Sequence, residues 1–168
     1  MLVFNKWSEL SSFVNGLGLG KISNSCGIFK NKEKNLFLRS VDGTSFYNDT
    51  FDPCIRYTLF GQIGDQVLGD RYNRHIIEGT SAYLYRVNKK TKCHTWYGRV
   101  EIGDLETLQH PDRNGSMRTI YLVKLDPIHV EIEDDFEIED DFEIEDDTIS
   151  HAEIEDDLEI EDDTISRT

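Results

Sequence analysis

Side chains capable of chemistry concentrate between residues 47 and 74. Tyr47, Phe51 and Tyr57 are aromatic, Asp49, Asp52 and Asp65 are acidic, and Gln62, Gln66 and Asn73 carry amides that both donate and accept hydrogen bonds. Gly61 and Gly64 let a backbone approach a flat ligand closely. Arg56, Arg71 and Arg74 place positive charge around the same stretch. Aromatic faces that stack on a base, carboxylates and amides for its Watson–Crick edge, and guanidinium groups for phosphates are the components of a nucleobase pocket. The competing reading is that aromatic residues in β runs simply pack a core.

Other combinations fail as sites. "GLGLGK" (16–21) has three residues between Gly16 and Gly20-Lys21 where a phosphate loop needs four, and Ile22 follows where that loop needs Ser or Thr. "HPDRN" (110–114) could suggest a nuclease, but Leu122 occupies the place, two before Lys124, where a second carboxylate is required. Pro-Asp-x-Asn-Gly is also what a tight hairpin turn uses, and that reading is preferred. Cys93 and His94 are neighbours that a strand would point to opposite faces. The remaining histidines show no ligand spacing. No catalytic set, metal site or cofactor is expected, and the chain is read as a non-enzyme.

The elements that must hold these residues are mostly strands. Trp7, Leu10, Phe13 and Val14 share a face at helical spacing, so a short helix opens the chain and Gly16-Leu-Gly-Leu-Gly ends it. Aromatic and β-branched runs follow at 35–41, 55–60, 82–87, 95–102 and 118–125, separated by turn clusters such as Asp42-Gly43, Asn88-Lys89-Lys90 and residues 111–115. Both faces of 118–125 are partly apolar, as in a small barrel or sandwich. A second short helix is expected over 70–77 and a last strand over 127–132.

The net charge of −15 conceals two regions. Five EIEDD copies from Glu131 onward hold 20 of the 33 acidic residues against the single base Arg167, a net −19; residues 1–130 carry +4. The chain therefore reads as a basic body (1–130) and an acidic repeat tail (131–168). With four carboxylates in each five-residue unit and little apolar area to offset the ordering entropy, the tail is expected to be disordered. It serves solubility, or it is an interaction segment. Three widely spaced cysteines (Cys26, Cys54, Cys93) argue against a disulfide framework. Met1-Leu2-Val3-Phe4 is too short for a signal peptide, and no run approaches the ~18–20 apolar residues of a membrane span. A soluble intracellular protein is expected, in cytoplasm or nucleoid, or in a nucleus if eukaryotic.

"FYNDTFDPCIRYTLFGQIGDQ…YNRHI" resembles the SRA (SET- and RING-associated, or YDG) domain, in the version found in bacterial McrA-like HNH endonucleases that cut modified DNA. The matching residues are Tyr47 and Asp49, Tyr57-Thr58, Gly61-Gln62, Gly64-Asp65-Gln66 and Asn73-Arg74. "CGIF" (26–29) resembles the family's Gly-Ile entry loop, and "AYLYRV", "WYGRVEI" and "PDRNGSMRTIYLVKL" resemble its later strands, so the likeness covers roughly residues 25–126. The pattern departs at Leu59-Phe60, where the family carries glycine first, a change expected to narrow the pocket.

The resemblance implies a PUA-like β-barrel with small helices that cups duplex DNA and flips a modified cytosine into a pocket. It implies that Tyr57 stacks on the base, Tyr47 forms the second aromatic wall, and Asp49 or Asp52 reads the base edge. Thr58, Gly61 and Gln62 would complete the pocket, Asp65-Gln66 would organise its loop, and Arg56, Arg71, Asn73 and Arg74 would meet the DNA backbone. No HNH motif is present, so any cleavage would come from a nuclease partner. The alternative is a decoy whose acidic tail mimics nucleic acid and binds basic partners, with the body as scaffold.

Overall fold

The computed structural model describes residues 1–129; the tail expected at 131–168 lies outside the described residues. The elements run β1 (Leu2–Phe4), α1 (Trp7–Gly16), β2 (Ile28–Lys30), β3 (Leu36–Val41), β4 (Ile55–Thr58), α2 (Asn73–Ile77), β5 (Ser81–Val87), β6 (His94–Pro111) and β7 (Met117–Pro127). The strands form one sheet in the order β2-β3-β5-β6-β7-β4, with β1 added to β6. All neighbours are antiparallel except β3 and β5, which run parallel with Phe37 opposite Tyr83 and Val41 opposite Val87.

Two apolar clusters hold the sheet in shape. Leu10 and Val14 of α1 pack on Phe37, Tyr85 and Trp96, with Trp7 and Phe13 alongside. The helical spacing of these four residues is therefore what fastens α1 to one face. The other face buries Leu38, Ile55, Tyr57, Leu59, Ile76, Leu84, Val100, Val123 and Leu125. The sheet curls around this second cluster, and its two ends, β2 and β4, share no backbone ladder. The expected barrel is thus a curled sheet with an open seam between β2–β3 and β4. The Tyr57 side chain reaches across it: its hydroxyl lies 2.9 Å from the Gly27 carbonyl and 3.2 Å from that of Arg39.

Several boundaries differ from the sequence expectation. β6 runs nine residues beyond 102, to Pro111, because β7 pairs with it from Leu105↔Val123 to Pro111↔Met117; the outer half is held by the ladder and not by apolar alternation. β1 and β2, three residues each, carry no periodicity to detect. Of the strand expected over 127–132, Pro127 is the last residue of β7, residues 128 and 129 take no regular structure, and the rest lies outside the described residues. The second helix begins at Asn73, with Asp70 Oδ1 accepting the Tyr72 N–H at 2.8 Å just before it. No helix among the described residues is long and apolar enough to cross a membrane.

His94 is buried where α1, β1 and β6 meet. Its ring lies edge-on to Trp7 at 5.7 Å, and its Nδ1 has no hydrogen-bond partner. Burial, with the Arg39 charge adding to it, holds its pKa below the ordinary value. The unfolded chain therefore takes up the proton first, and stability falls as the pH drops through about 6.5. Urea midpoints at pH 7.5 and 5.5 should show a larger acid loss for the natural protein than for His94→Gln.

Candidate functional site

The seam opens into a cavity of about 400 Å³, at the lower end of the ~300–1,000 Å³ typical of small-molecule sites. Its walls come from the β2 entry loop (Ser25, Gly27, Ile28), the end of β3 (Arg39, Val41), the 44–49 loop, β4 (Tyr57, Thr58), Phe60, Gln62 and Lys89. The position follows from the topology, since β2 and β4, the two ends of the sheet path, share no ladder and the cavity's walls come from the strands and loops on either side.

Asp49 is the acid in the cavity. Its Oδ2 accepts the Ser40 hydroxyl at 2.6 Å and its Oδ1 accepts the Thr58 N–H at 2.7 Å. A carboxylate offers about four lone-pair sites, so both oxygens keep acceptor capacity towards a ligand while their orientation is fixed. Burial raises the Asp49 pKa, against the hydrogen bonds from Ser40 and Thr58 and the Arg86 charge, which lower it. Asp52, the other acid considered for this place, is exposed and does not line the cavity.

Phe46, Tyr47, Tyr57 and Phe60 provide the aromatic surface. Tyr57 is buried and pinned through its hydroxyl, with a pKa pushed well above the ordinary tyrosine range by burial first and then by the Asp49 charge. Adding a Cβ at Gly27 would bring it to 3.2 Å from that hydroxyl, which accounts for glycine in the entry loop. Tyr47 packs edge-on to Phe46 at 4.8 Å, and burial raises its pKa as well. Phe60 is 39 % exposed and tilts against Tyr72 at 4.7 Å. Of the pair Leu59-Phe60 expected to narrow the pocket, Leu59 is fully buried in the core and does not line the cavity, whereas Phe60 does.

The loop 59–66 is fastened by groups that looked like ligand contacts. Gln66 donates to the Leu59 carbonyl at 2.5 Å and accepts the Tyr121 N–H at 2.8 Å, while Asp65 accepts the Thr119 N–H at 2.6 Å. The Asp65-Gln66 pair thus serves as an extra rung on β7, away from the cavity lining. Asn73 is wholly buried; its amide accepts the Phe60 N–H and donates to the Phe60 and Val67 carbonyls, which leaves no group for the DNA-backbone role expected of it. Gly61 and Gly64 take φ of 132° and 68°, so their freedom serves the turn rather than close approach to a ligand, and neither lines the cavity. Asp112 anchors the β6–β7 turn by accepting the Asn114, Ser116 and Gly64 N–H groups, which lower its pKa.

Sequence reasoning gave no role to Arg118, nor to Phe46, Arg39 and Lys89 of the cavity wall. Arg118 is 2 % exposed and donates to Phe46 O at 2.7 Å, Gly61 O at 2.6 Å and Gly64 O at 3.2 Å. One buried guanidinium therefore joins the two loops that form the cavity's mouth. The clue in the sequence was an arginine at the start of an otherwise apolar strand.

Arg39 and Lys89 are the cations in the wall, and Arg71 stacks 4.6 Å over Tyr72, which itself touches Phe60. Arg74 is exposed on α2. Arg56 is occupied by Glu106 at 2.9 Å and by the Cys54 sulfur. Gln62, in the wall, accepts a bond from Arg113 at 3.2 Å. No group of three or more His, Cys, Asp or Glu suited to a metal occurs among the described residues.

No known family's sequence profile matches the chain, and no curated protein matches it. Solved structures do. The sulfur-binding and SRA domains of ScoMcrA, complexed with phosphorothioated DNA, superpose with a TM-score of 0.55 at 17% identity, covering 77% of this chain and 39% of that one. The type IV phosphorothioation-dependent restriction endonuclease ScoMcrA gives 0.53 at 18% identity, covering 64% and 24%. The modification-dependent TagI restriction endonuclease gives 0.51 at 19%, covering 71% and 47%. The chain spans less than half the length of each of these structures. At such identities the likeness speaks to architecture: the described part of this chain has the SRA fold.

Proposed function

We propose that this chain is a non-catalytic module that binds duplex DNA and takes a modified cytosine into the seam cavity. The observation that carries this reading is Asp49, held by Ser40 and Thr58 among the faces of Tyr47, Tyr57 and Phe60 in a space of about 400 Å³. Cytosine presents an amino donor and a ring-nitrogen acceptor on its pairing edge. A carboxylate accepts from the first; a carboxylic acid, favoured by the raised pKa, donates to the second as well. Extruding a base costs a few kcal/mol, which stacking of ~1–3 kcal/mol per aromatic contact and the edge hydrogen bonds can offset. Ile28 and Val41 supply apolar wall for a substituent on the ring. Lys89, Arg71 and Arg74 are assigned to phosphates. The solved structures of like fold are, by their descriptions, modification-dependent endonucleases or a complex with phosphorothioated DNA, and their remaining length leaves room for a nuclease that this module would need from a partner.

Fluorescence anisotropy with plain, 5-methylcytosine and 5-hydroxymethylcytosine duplexes tests the reading. A modified duplex should bind about fourfold or more tightly than the plain one, the increment expected from one buried methyl group. Negligible binding to all three at low salt would sink it.

The acidic repeats enter as a modulator. With −19 on residues 131–168 beside +4 on residues 1–130, the tail lowers affinity for a polyanion. Ending the chain at residue 130 should tighten DNA binding at low salt, with the gain shrinking as salt rises. Unchanged affinity after truncation would remove the tail from the account.

A further inference from the structure

A second cavity, of about 290 Å³, lies at the other end of the parallel β3–β5 pair. Leu36 and Ala82, at the starts of these strands, belong to it, whereas Val41, at the end of β3, belongs to the first cavity. On β3 the nearest lining residues of the two, Leu36 and Arg39, are three residues apart, about 10 Å along the strand. The lining brings together Lys30 from β2, Lys34 from the β2–β3 turn, Arg99 from β6, and the polar side chains of Asn35, Ser81 and Tyr83. No carboxylate lines it, and none of the three cations is in an ion pair among the described residues.

The framework sets the backbone that carries these cations. Asn31 accepts the Asn35 N–H at 3.1 Å and donates to the Leu19 carbonyl at 2.6 Å, while Asn35 donates to the same carbonyl at 3.0 Å. The turn so locked holds Lys34 at a φ of 63°, a conformation unusual for lysine. Arg99 follows Gly98, which has a φ of 81° and lies where the β5–β6 register slips; such a bulge re-aims the next side chain. Its guanidinium reaches the Ser81 hydroxyl at 3.2 Å. Three unpaired charges from three separate elements, with the Ser81 and Tyr83 hydroxyls in the same polar hollow, suit an anion with several acceptor oxygens. A phosphate group meets that description better than a carboxylate, which has two oxygens to share among the donors.

We propose that the hollow between the β2–β3 turn and Arg99 is a phosphate-binding site, separate from the base cavity. The phosphate belongs either to a DNA backbone passing beside the base cavity or to a small phosphate ester. The site itself is independent of the DNA reading.

Titration of the full chain with inorganic phosphate, at ionic strength matched with chloride, tests it through backbone amide shifts. Saturable shifts at Lys30, Lys34, Ser81 and Arg99 are expected, and their loss in the Lys34→Ala/Arg99→Ala double variant, whose spectrum should otherwise stay dispersed because both side chains are exposed. No saturation, equal shifts with chloride alone, or full retention in the double variant would overturn the site. A second arm assigns the phosphate's source. If it is DNA, the double variant lowers the salt slope of plain-duplex binding by up to about two. If it is a small ester, the slope stays constant while inorganic phosphate binding is lost. Either result supports the site.

Discussion

Replacing Arg118 with alanine should lower the stability of the protein by about 3 kcal/mol and its melting temperature by roughly 10 °C, and abolish measurable DNA binding. The guanidinium donates to carbonyls of Phe46, Gly61 and Gly64 from a site that is 2 % exposed. Truncation leaves these acceptors without a donor in a place water enters poorly, at a cost of ~1–3 kcal/mol for each buried group left unpaired. Those carbonyls lie on the two loops that carry Tyr47 and Phe60, so the loss is transmitted to the cavity's mouth. Arg118→Lys should recover only part of the stability, because a single ammonium cannot reproduce a fork that spans both loops. Thermal unfolding followed by circular dichroism, with DNA binding by anisotropy, checks both statements. A melting temperature within a degree of the natural protein would mean that the loops hold themselves.

Asp49 is expected to behave in the opposite way on stability. Asp49→Asn should weaken binding of modified duplex by about a hundredfold, in line with ~1.5–3 kcal/mol for a hydrogen bond to a charged group, and should leave stability near pH 7 equal or higher. The amide oxygen can still accept the Thr58 N–H, but the new amide nitrogen presents donors where a base's amino group needs an acceptor. The stability effect follows from the pKa direction. Burial raises the folded carboxyl above its unfolded value of about 3.9, so its contribution is fully present below that pH and is lost as the pH rises through the folded pKa. The asparagine variant does not titrate, and its advantage over the natural protein should therefore grow from pH 4 upward. Chemical denaturation across pH 4–8 measures this directly, and a constant difference would contradict the raised pKa.

The strands β3, β4, β5 and β7 and the helix α1 were legible because their burial depends on alternation or helical spacing that the residues themselves display. The outer half of β6, residues 103–111, was not. Its partner β7 imposes extended structure on a polar segment through the ladder alone. The candidate site was legible as a region and less so as a list. Tyr47, Asp49, Tyr57, Thr58 and Gln62 do line one cavity. Gln66 and Asn73 have the hydrogen-bonding versatility of ligand contacts, and the fold uses that versatility to satisfy backbone groups of the loop. Sequence alone cannot distinguish these uses, because an amide suits a carbonyl in the chain as well as one on a base. Phe46, Arg39 and Lys89 reach the cavity from other elements through the curl of the sheet, a long-range consequence that no local pattern encodes. Leu59 illustrates the same limit, since a bulky residue beside the pocket narrows it only if its side chain faces that way, and here it faces the core.

For a modified cytosine to be read in this cavity, its base must leave the duplex and enter beside Asp49. A duplex carrying 5-methylcytosine with 2-aminopurine as its neighbour on the same strand reports this, because unstacking relieves the quenching of the probe. With the natural protein at saturation, the account predicts a several-fold rise in 2-aminopurine fluorescence on the methylated duplex, a smaller rise on the plain one, and none with Asp49→Ala. Saturated binding of the methylated duplex, seen by anisotropy in the same cuvette, with the probe as quenched as in free DNA would contradict it.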